Sequence, residues 1–157
     1  MHKFRVEDVE ERVGSTYPAP FDAPCRNRIS RGLSATGGLT QFGVNHVRLS
    51  PGAWSSQRHW HTHEDELVLI LEGQAMLVTD EGETLVKAGD VATFPAGKKN
   101  GHHLQNRFET DCVFIAIGSR NDEDRGEYPD IDLRAAPGRY SGPIVFTDKE
   151  GRPYPKV

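Results

Sequence analysis

Cysteine is scarce in this chain, and long apolar runs and basic clusters are missing. The two cysteines, Cys25 and Cys112, form neither a CxxC pair nor a disulfide framework, which predicts a reducing, cytoplasmic setting. No window approaches about eighteen apolar residues, and the charged N-terminal stretch MHKFRVEDVEERVG has no apolar centre, so neither a membrane span nor a signal peptide is expected. The longest basic run is Lys98-Lys99 and the net charge is −4, which argues against nucleic acid or an anionic membrane as the main partner.

Glycine and proline, in contrast, are plentiful, with 16 and 10 residues in a chain of 157. This density of turn-forming residues favours a β-rich fold over a helix bundle. From Leu39 onward, about eight short apolar or alternating stretches follow one another at intervals of roughly 8–12 residues. The first is QFGVNHVRL (41–49) and the last is CVFIAIGS (112–119). Such spacing predicts an all-β domain in which antiparallel strands form a sandwich or barrel.

We expect one domain with two less regular ends. Residues 14–38 are interrupted by Gly, Pro and Ser, so residues 1–38 are interpreted as an N-terminal arm that packs on the barrel. Residues 39–120 form the barrel itself. Residues 121–157, polar at first and then rich in Pro and Gly, are interpreted as a C-terminal extension of the same domain. Gly73, between two apolar stretches, predicts a bend or bulge.

The stretch RHWHTHEDE (58–66) is the feature that points most directly to a function. Alternate residues of a strand lie on one face, so His59, His61 and His63 would start on the same side. Imidazole is the commonest protein ligand for transition metals, and a carboxylate adds a charge-neutralising donor. The stretch therefore indicates a metal site. The alternative is a solvated strand edge on which the histidines are merely polar.

The neighbours of these histidines receive simpler interpretations. Trp60 and Thr62 alternate with them and should face away from a metal. His63 is expected either to be exposed or to contact a metal-binding residue without itself binding the metal. Glu64 and Asp65 are expected to be solvated, although either carboxylate could orient a ligand imidazole.

The spacing after the histidines resembles the first motif of the cupin superfamily, G(X)5HXH(X)3–4E(X)6G. HWH (59–61) is followed after four residues by Glu66 and after six more by Gly73. The leading glycine matches Gly52, which six residues rather than five separate from the first histidine. The resemblance thus marks Glu66 as the carboxylate of the motif.

The second motif of that superfamily reads G(X)5PXG(X)2H(X)3N. GDVATFPAG (89–97) matches its first half, but Asn100 then occupies the histidine position. His102 and Asn106 restore the H(X)3N spacing two residues later, as a two-residue insertion in the loop would do. His103 is the alternative to His102, although it would point the opposite way on a strand.

The resemblance covers about residues 40–118 in these motifs. Blocks such as SPGAWSSQRHWHTHEDE and GHHLQN extend it to a subgroup of small single-domain bacterial cupins that carry a provisional sugar-phosphate isomerase label. It implies a cupin-type antiparallel β-barrel, or jelly roll, around one divalent transition metal: Mn, Fe, Ni or Zn. It assigns the four ligand roles to His59, His61, Glu66 and His102. It identifies no catalytic residue.

Three functions are compatible with this fold, which hosts many activities. The favoured one is a metal-dependent, isomerase-like enzyme acting on a sugar phosphate or a hydroxy or keto acid, with His63 and His103 as the candidate bases. The alternatives are an iron-dependent dioxygenase and a non-catalytic module that binds a metal or a small ligand. Two converging Arg or Lys side chains would favour the isomerase, an apolar pocket would favour the dioxygenase, and ligands without an adjacent acid or base would favour the module. A homodimer is also expected, because such barrels often pair through edge strands.

Overall fold

Antiparallel strands dominate the computed structural model of this chain, which describes residues 3–155. Helical structure in that range is limited to helix α1 (Leu33–Thr36) and two 3₁₀ turns, Val6–Asp8 and Ala23–Cys25. No helix of the described range is long and apolar enough to cross a membrane. The strands in this range are β1 (Arg12–Val13), β2 (Arg28–Gly32), β3 (Phe42–Leu49), β4 (Trp60–His61), β5 (Glu66–Glu72), β6 (Gln74–Thr79), β7 (Gly82–Lys87), β8 (Val91–Phe94), β9 (His103–Gln105), β10 (Cys112–Ser119), β11 (Gly126–Tyr128), β12 (Leu133–Ala135) and β13 (Phe146–Thr147).

Two sheets form the walls of the barrel. The larger has six strands in the order β1-β2-β3-β10-β5-β8, and the smaller has three in the order β7-β6-β9. Every pair in both sheets is antiparallel. Strands β3 to β10 each overlap one of the eight stretches predicted between residues 39 and 120. The predicted all-β jelly-roll fold is therefore confirmed.

The main core lies between these two sheets because their inward positions carry apolar side chains. Val47 and Leu49 of β3 have no exposed surface, whereas the intervening Arg48 points the other way and pairs with Asp111. Burial of such side chains is the main favourable contribution to folding. The buried members of this core are Val47, Leu49, Ala53, Val68, Ile70, Ala75, Val86, Leu104, Cys112 and Phe114.

The N-terminal segment is mostly irregular and adds two strands to the larger sheet. Ser30 of β2 pairs with Val47 of β3, and Arg12 of β1 pairs with Ser30. Paired residues of antiparallel strands share a face. The side chains of β1 and β2 at these positions therefore lie on the inner face of the sheet.

The C-terminal segment forms a four-stranded sheet, β13-β12-β11-β4, which includes the strand of the histidine motif. Gly126 pairs with His61 and Glu127 pairs with Trp60. The segment that follows the barrel in the sequence therefore pairs with β4, the strand that carries part of the histidine motif. A second core cluster joins this sheet to the N-terminal segment and consists of Tyr17, Cys25, Tyr128, Leu133, Ala135 and Phe146.

Gly73 forms the bend that the sequence predicts between β5 and β6. Its φ is +70°, a region that residues with a side chain rarely adopt. A Cβ atom at this position would overlap the carbonyl oxygen of Asp111. The pairing of β10 with β5 shifts register nearby, between Val113 and Phe114. Glycine is thus required both by the backbone angle and by the close approach of a neighbouring chain segment.

Candidate metal centre

Backbone pairing places two histidines of the proposed ligand set opposite each other. His59 and His102 form an isolated antiparallel bridge, with N–H···O distances of 3.2 and 2.9 Å between their main chains. Because bridged residues share a face, their side chains point into the same space. His103, the next residue, points away. The two-residue displacement of the second motif therefore brings His102, not His103, next to the first motif.

Glu66, the first residue of β5, is the common neighbour of three imidazoles. Its Oε2 atom lies 2.9 Å from Nε2 of His102, 3.6 Å from Nε2 of His61 and 3.8 Å from Nε2 of His59. His59, His61 and Glu66 each offer a ligand atom within 4.8 Å of the other two. The structure thus brings together all four residues for which the sequence predicts a ligand role.

The other ring nitrogen of each histidine is already engaged. An acceptor at Nδ1 favours the tautomer with the proton on that nitrogen, which leaves Nε2 able to bind an ion. Without an ion, the 2.9 Å contact of His102 Nε2 with Glu66 is a hydrogen bond in which Nε2 carries the proton. In all three rings the engaged atom is Nδ1 and the atom facing Glu66 is Nε2. The three acceptors are the carbonyl oxygen of Gln57 for His59 (2.8 Å), the carboxylate of Asp124 for His61 (2.7 Å) and the carbonyl oxygen of Asn100 for His102 (3.2 Å).

Burial sets the charge of this cluster. Desolvation, with the neighbouring His61, lowers the pKa of His59 to about 3. Burial alone would raise the pKa of Glu66, but the hydrogen bond with His102 and the other two imidazoles outweigh it and lower that pKa to about 2. A neutral imidazole of His59 and an ionised Glu66 therefore prevail at neutral pH. Three imidazole nitrogens and one carboxylate around a single point are donors that suit a divalent transition metal, so this donor set fits such an ion.

Asp124 supports the cluster from the C-terminal segment. It has almost no exposed surface, accepts a hydrogen bond from His61 and accepts another from the backbone N–H of His63 at 2.8 Å. Burial alone would raise the pKa of Asp124, but these hydrogen bonds outweigh it and the pKa lies below its usual value. An ionised carboxylate behind a ligand imidazole fixes the ring orientation and increases its basicity.

The expectation that Glu64 is solvated is wrong. Its side chain is 3% exposed, and Arg139 donates a hydrogen bond to it. The Tyr140 hydroxyl and the backbone N–H of Asn121 lie 3.1 and 2.9 Å from its two oxygens. Arg139 also approaches Asp124 at 3.2 Å, so one guanidinium neutralises two buried carboxylates. Glu64 turns inward because it meets Asn121, Arg139 and Tyr140 there. These partners lie 57 to 76 positions later in the chain, so the local sequence around Glu64 does not predict its burial.

His63 lies beyond the strand that carries His61, so it does not share the face of the other two histidines. Strand β4 stops at His61, and His63 is exposed, with its Nδ1 atom 2.8 Å from the Thr62 hydroxyl. The shared face expected for three histidines therefore holds for two of them. Asp65 is exposed, as expected for a solvated carboxylate.

His103 is buried but does not face the cluster. Its Nδ1 atom lies 2.9 Å from the carbonyl oxygen of Ser56 and its Nε2 atom 2.9 Å from the Gln105 amide nitrogen. Its ring packs edge-on against Trp54 at a centroid distance of 4.7 Å. Burial lowers its pKa, so the ring is neutral and both nitrogens are already in use.

A cavity of about 610 Å³ opens onto the four-residue cluster. Its wall also includes tyrosine and arginine side chains from both ends of the chain, which motif spacing alone does not reveal. These residues are Tyr17, Arg28, Tyr128, Arg139 and Tyr140. The cavity is therefore large enough for a small organic molecule and is polar on one side.

Comparison with known proteins gives a consistent assignment. A family model described as the Cupin domain matches residues 45–118. A crystal structure of a protein from Silicibacter pomeroyi, named a sugar phosphate isomerase from a cupin superfamily, is 42% identical with a TM-score of 0.91, over 98% of this chain and 97% of that one. No match is found among curated protein sequences.

More distant structures share the fold. A protein from Acidithiobacillus ferrooxidans, provisionally named a sugar phosphate isomerase, is 25% identical with a TM-score of 0.71, over 83% of this chain and 81% of that one. A predicted oxalate decarboxylase from Thermotoga maritima is 20% identical with a TM-score of 0.62, over 76% of this chain and all of that one. Different activities are thus named on one architecture, and the architecture alone does not select among them.

Proposed function

The chain belongs to the cupin superfamily, and we propose that it holds one divalent transition metal and acts as an isomerase-like enzyme on a small polar substrate. The proposed ligands are His59, His61, Glu66 and His102. The substrate class is a sugar phosphate or a hydroxy or keto acid. The name of the relative with 42% identity supports the isomerase-type reaction.

One observation carries the proposal. Three Nε2 atoms converge on a single oxygen of Glu66 while each Nδ1 is held by an acceptor. A divalent cation at this point would be bound by the carboxylate and the Nε2 atoms and would replace the proton shared by His102 and Glu66. A bound ion of this kind would polarise a carbonyl or enediolate oxygen of a substrate in the cavity.

The chain supplies further groups around that position. Tyr128 stacks on the ring of His59 at a centroid distance of 5.6 Å, and burial raises its pKa well above the usual value, so its hydroxyl stays protonated. The Tyr140 hydroxyl is hydrogen-bonded to Glu64 on the cavity wall. In this proposal these hydroxyls orient the oxygens of the substrate. Neither candidate base from the sequence is well placed. His63 is exposed, and both ring nitrogens of His103 are already hydrogen-bonded.

Elemental analysis of the purified protein tests the metal site. We expect about one equivalent of Mn, Fe, Ni or Zn in the wild-type protein and loss of that metal in His59→Ala/His61→Ala. His46→Ala is the matched control, because this histidine lies on β3, outside the cluster. Absence of metal from the wild-type protein, even after reconstitution, would refute the proposal.

Solvent deuterium exchange tests the reaction. Isomerisation through an enediolate exchanges the hydrogen next to a carbonyl with solvent, so the metal-loaded protein in D₂O should label its substrate. We propose to follow labelling by NMR across a panel of aldose and ketose phosphates and small hydroxy and keto acids, with the double histidine variant as control. Equal labelling with and without active protein across the panel would leave a binding module as the better description.

A homodimer is also proposed. β8 is an edge strand of the larger sheet, and Val91 on it is 57% exposed. Leu71 and Leu85 are further exposed apolar side chains. Exposed edges and apolar surface favour pairing between copies. Light scattering should give twice the monomer mass, and Val91→Lys should shift the mass toward the monomer if β8 forms the interface.

A reducing cytoplasm is the proposed location. Cys25 and Cys112 are both buried and unpaired. Burial raises the pKa of each thiol to about 11, so both are protonated and unreactive at neutral pH. Fractionation of the native host with an antibody to the protein would test this location.

A further inference from the structure

We propose that Arg28 binds the anionic group of the substrate, with Arg12 at the mouth of the same cavity. The inference rests on the proposed function, because it identifies the substrate as an oxyanion: a phosphate ester or a carboxylate. The four-residue cluster would face the carbonyl or hydroxyl end of that molecule, and Arg28 would face its charged end.

The sheet register places Arg28 inside the barrel. Arg28 pairs with Leu49, and Ser30, two residues later on the same strand, pairs with Val47. Leu49 and Val47 have no exposed surface and belong to the main core. Since paired residues share a face, the Arg28 side chain projects from the inner face of the sheet. A guanidinium at such a position is unusual, because core positions normally carry apolar side chains.

The charge of Arg28 is unpaired among residues 3–155. None of their carboxylates lies within 4.0 Å of its guanidinium, whose one side-chain partner is the hydroxyl of Ser30 at 3.0 Å. Its Nε atom is buried and has no hydrogen-bond partner. Burial lowers the pKa of Arg28, with the nearby Tyr17 and Cys25 partly opposing the shift. A desolvated cation without a counter-ion is costly, so a protein retains one where a ligand supplies the negative charge.

Two other well-buried arginines, Arg58 and Arg139, show the contrast. Arg58, whose side chain is 15% exposed, contacts Asp80 and Asp130, and Arg139, which is 19% exposed, contacts Glu64 and Asp124. Each of them thus has two carboxylate partners. Arg28 has none in the described range, although it is paired with the core residue Leu49.

Arg28 shares its cavity with the candidate metal centre. A row of aromatic rings leads from one to the other: the ring of His59 stacks on Tyr128 at 5.6 Å, and Tyr128 meets Tyr17 edge-on at 5.6 Å. Burial raises the pKa of Tyr17, and the charge of Arg28 opposes that increase. The wall between the two sites therefore offers apolar ring faces and hydroxyl groups, which suit the carbon chain and hydroxyls of a small sugar or acid.

Arg12 extends this positive region to the entrance. It pairs with Ser30, which places it on the same face as Arg28, and it lines the cavity while remaining exposed. Two arginines on one face of one sheet edge favour an anionic molecule over a neutral sugar or an apolar compound. They also draw an anion toward the cavity in a protein whose net charge is −4.

The test measures anion binding by calorimetry, with inorganic phosphate and glycolate as separate probes. Wild type, Arg28→Met and Arg28→Lys are compared with Arg48→Gln, a control on the neighbouring strand whose side chain faces outward and pairs with Asp111. We expect Arg28→Met to weaken binding of the preferred probe roughly ten- to hundred-fold, Arg28→Lys to weaken it less, and Arg48→Gln to leave it unchanged. Preference for phosphate would indicate a phosphate ester, and preference for glycolate a carboxylate. Equal affinity in wild type and Arg28→Met, or no binding of either probe to wild type, would overturn the inference.

Stability and metal content separate this inference from its alternatives. Arg28→Met should retain the metal and should unfold at the same or a higher temperature than wild type, because it removes an unpaired buried charge. A lower unfolding temperature combined with unchanged anion affinity would assign Arg28 a structural role and overturn the inference. Each titration is made with metal-free and with metal-loaded protein. Anion binding through Arg28 in a protein that takes up no metal would refute the proposed function but not the anion site.

Discussion

Nδ1 of His61 lies 2.7 Å from a carboxylate oxygen of Asp124, a residue 63 positions later in the chain. This contact links the histidine motif to a segment outside the barrel. It fixes the His61 ring so that Nε2 faces Glu66. The geometry of the candidate metal centre therefore depends on the C-terminal segment as well as on its four proposed ligands.

Substitution of Asp124 by Asn should weaken metal binding without removing a ligand. The amide carries no charge and holds the His61 proton on Nδ1 less strongly, so we expect the metal affinity to fall about 10- to 100-fold. Competition with a chromogenic chelator measures this change. Glu123→Gln, an exposed neighbour, is the control. Equal affinities for Asp124→Asn and wild type would show that the contact has no influence on the site.

Glu64→Gln should destabilise the fold, since it leaves Arg139 with one buried carboxylate instead of two. Loss of one partner from a buried ion pair costs about 3 kcal/mol. Urea unfolding of the metal-free protein gives the free energy directly. Asp65→Asn provides the comparison, because this exposed neighbour should tolerate the change with little effect. A similar small effect for both variants would contradict the assigned role of Glu64.

Gly73→Ala should be more disruptive than Gly89→Ala. Both glycines have positive φ, +70° and +96°, but only at Gly73 would the new Cβ meet the backbone of Asp111; at Gly89 the space is open. We expect a loss of about 1 kcal/mol from backbone strain at Gly89 and about 3 kcal/mol from strain and overlap at Gly73. Thermal unfolding of the two variants side by side measures the difference. Equal losses would mean that the β5–β6 bend adjusts freely.

Acidification should destabilise the metal-free protein. His59 has a pKa of about 3 in the folded state and 6.5 as its ordinary value, so the unfolded chain takes up the proton first and stability falls as pH drops below about 6.5. Glu66, with a pKa of about 2 against 4.5, adds a second loss below about pH 4.5. Each group contributes at most about 1.4 kcal/mol per pH unit.

The two contributions can be separated by substitution. His59→Gln should flatten the decline between pH 6.5 and 4.5, whereas His63→Gln, at an exposed position, should retain it. Urea titrations at half-unit pH intervals give the required free energies. A decline that persists unchanged in His59→Gln would assign the pH dependence to other groups.

Strands and motif residues could be predicted from the sequence because their signals are local. Alternation along β3 and β10 and the fixed spacing from His59 to Glu66 depend only on neighbours within one hairpin. The choice between His102 and His103, which the sequence leaves open, depends on the bridge between His59 and His102 in the structure. The strand residues follow a two-residue alternation of apolar and polar side chains, and the site residues match a sequence motif.

Arg28, Asp124 and Arg139 could not be predicted in the same way. Each is a single charged residue in a segment without periodicity. Asp124 and Arg139 contact residues far along the chain, and Arg28 lines a cavity formed mostly by distant segments. The sequence wrongly predicts a solvated Glu64, because the two acidic residues that follow it suggest an exposed cluster. Its burial depends on Arg139, which only the tertiary structure brings near.

Pairing of β4 with β11 also sets an order of events during protein synthesis. A ribosome that has added His102 has already made all four proposed ligands, but not Asp124 or the strand that pairs with β4. Until that later segment emerges, the His61 ring is free to rotate and Glu64 has no arginine beside it. An ion held by the four proposed ligands would therefore reach its final geometry at the last stage of translation or after chain release.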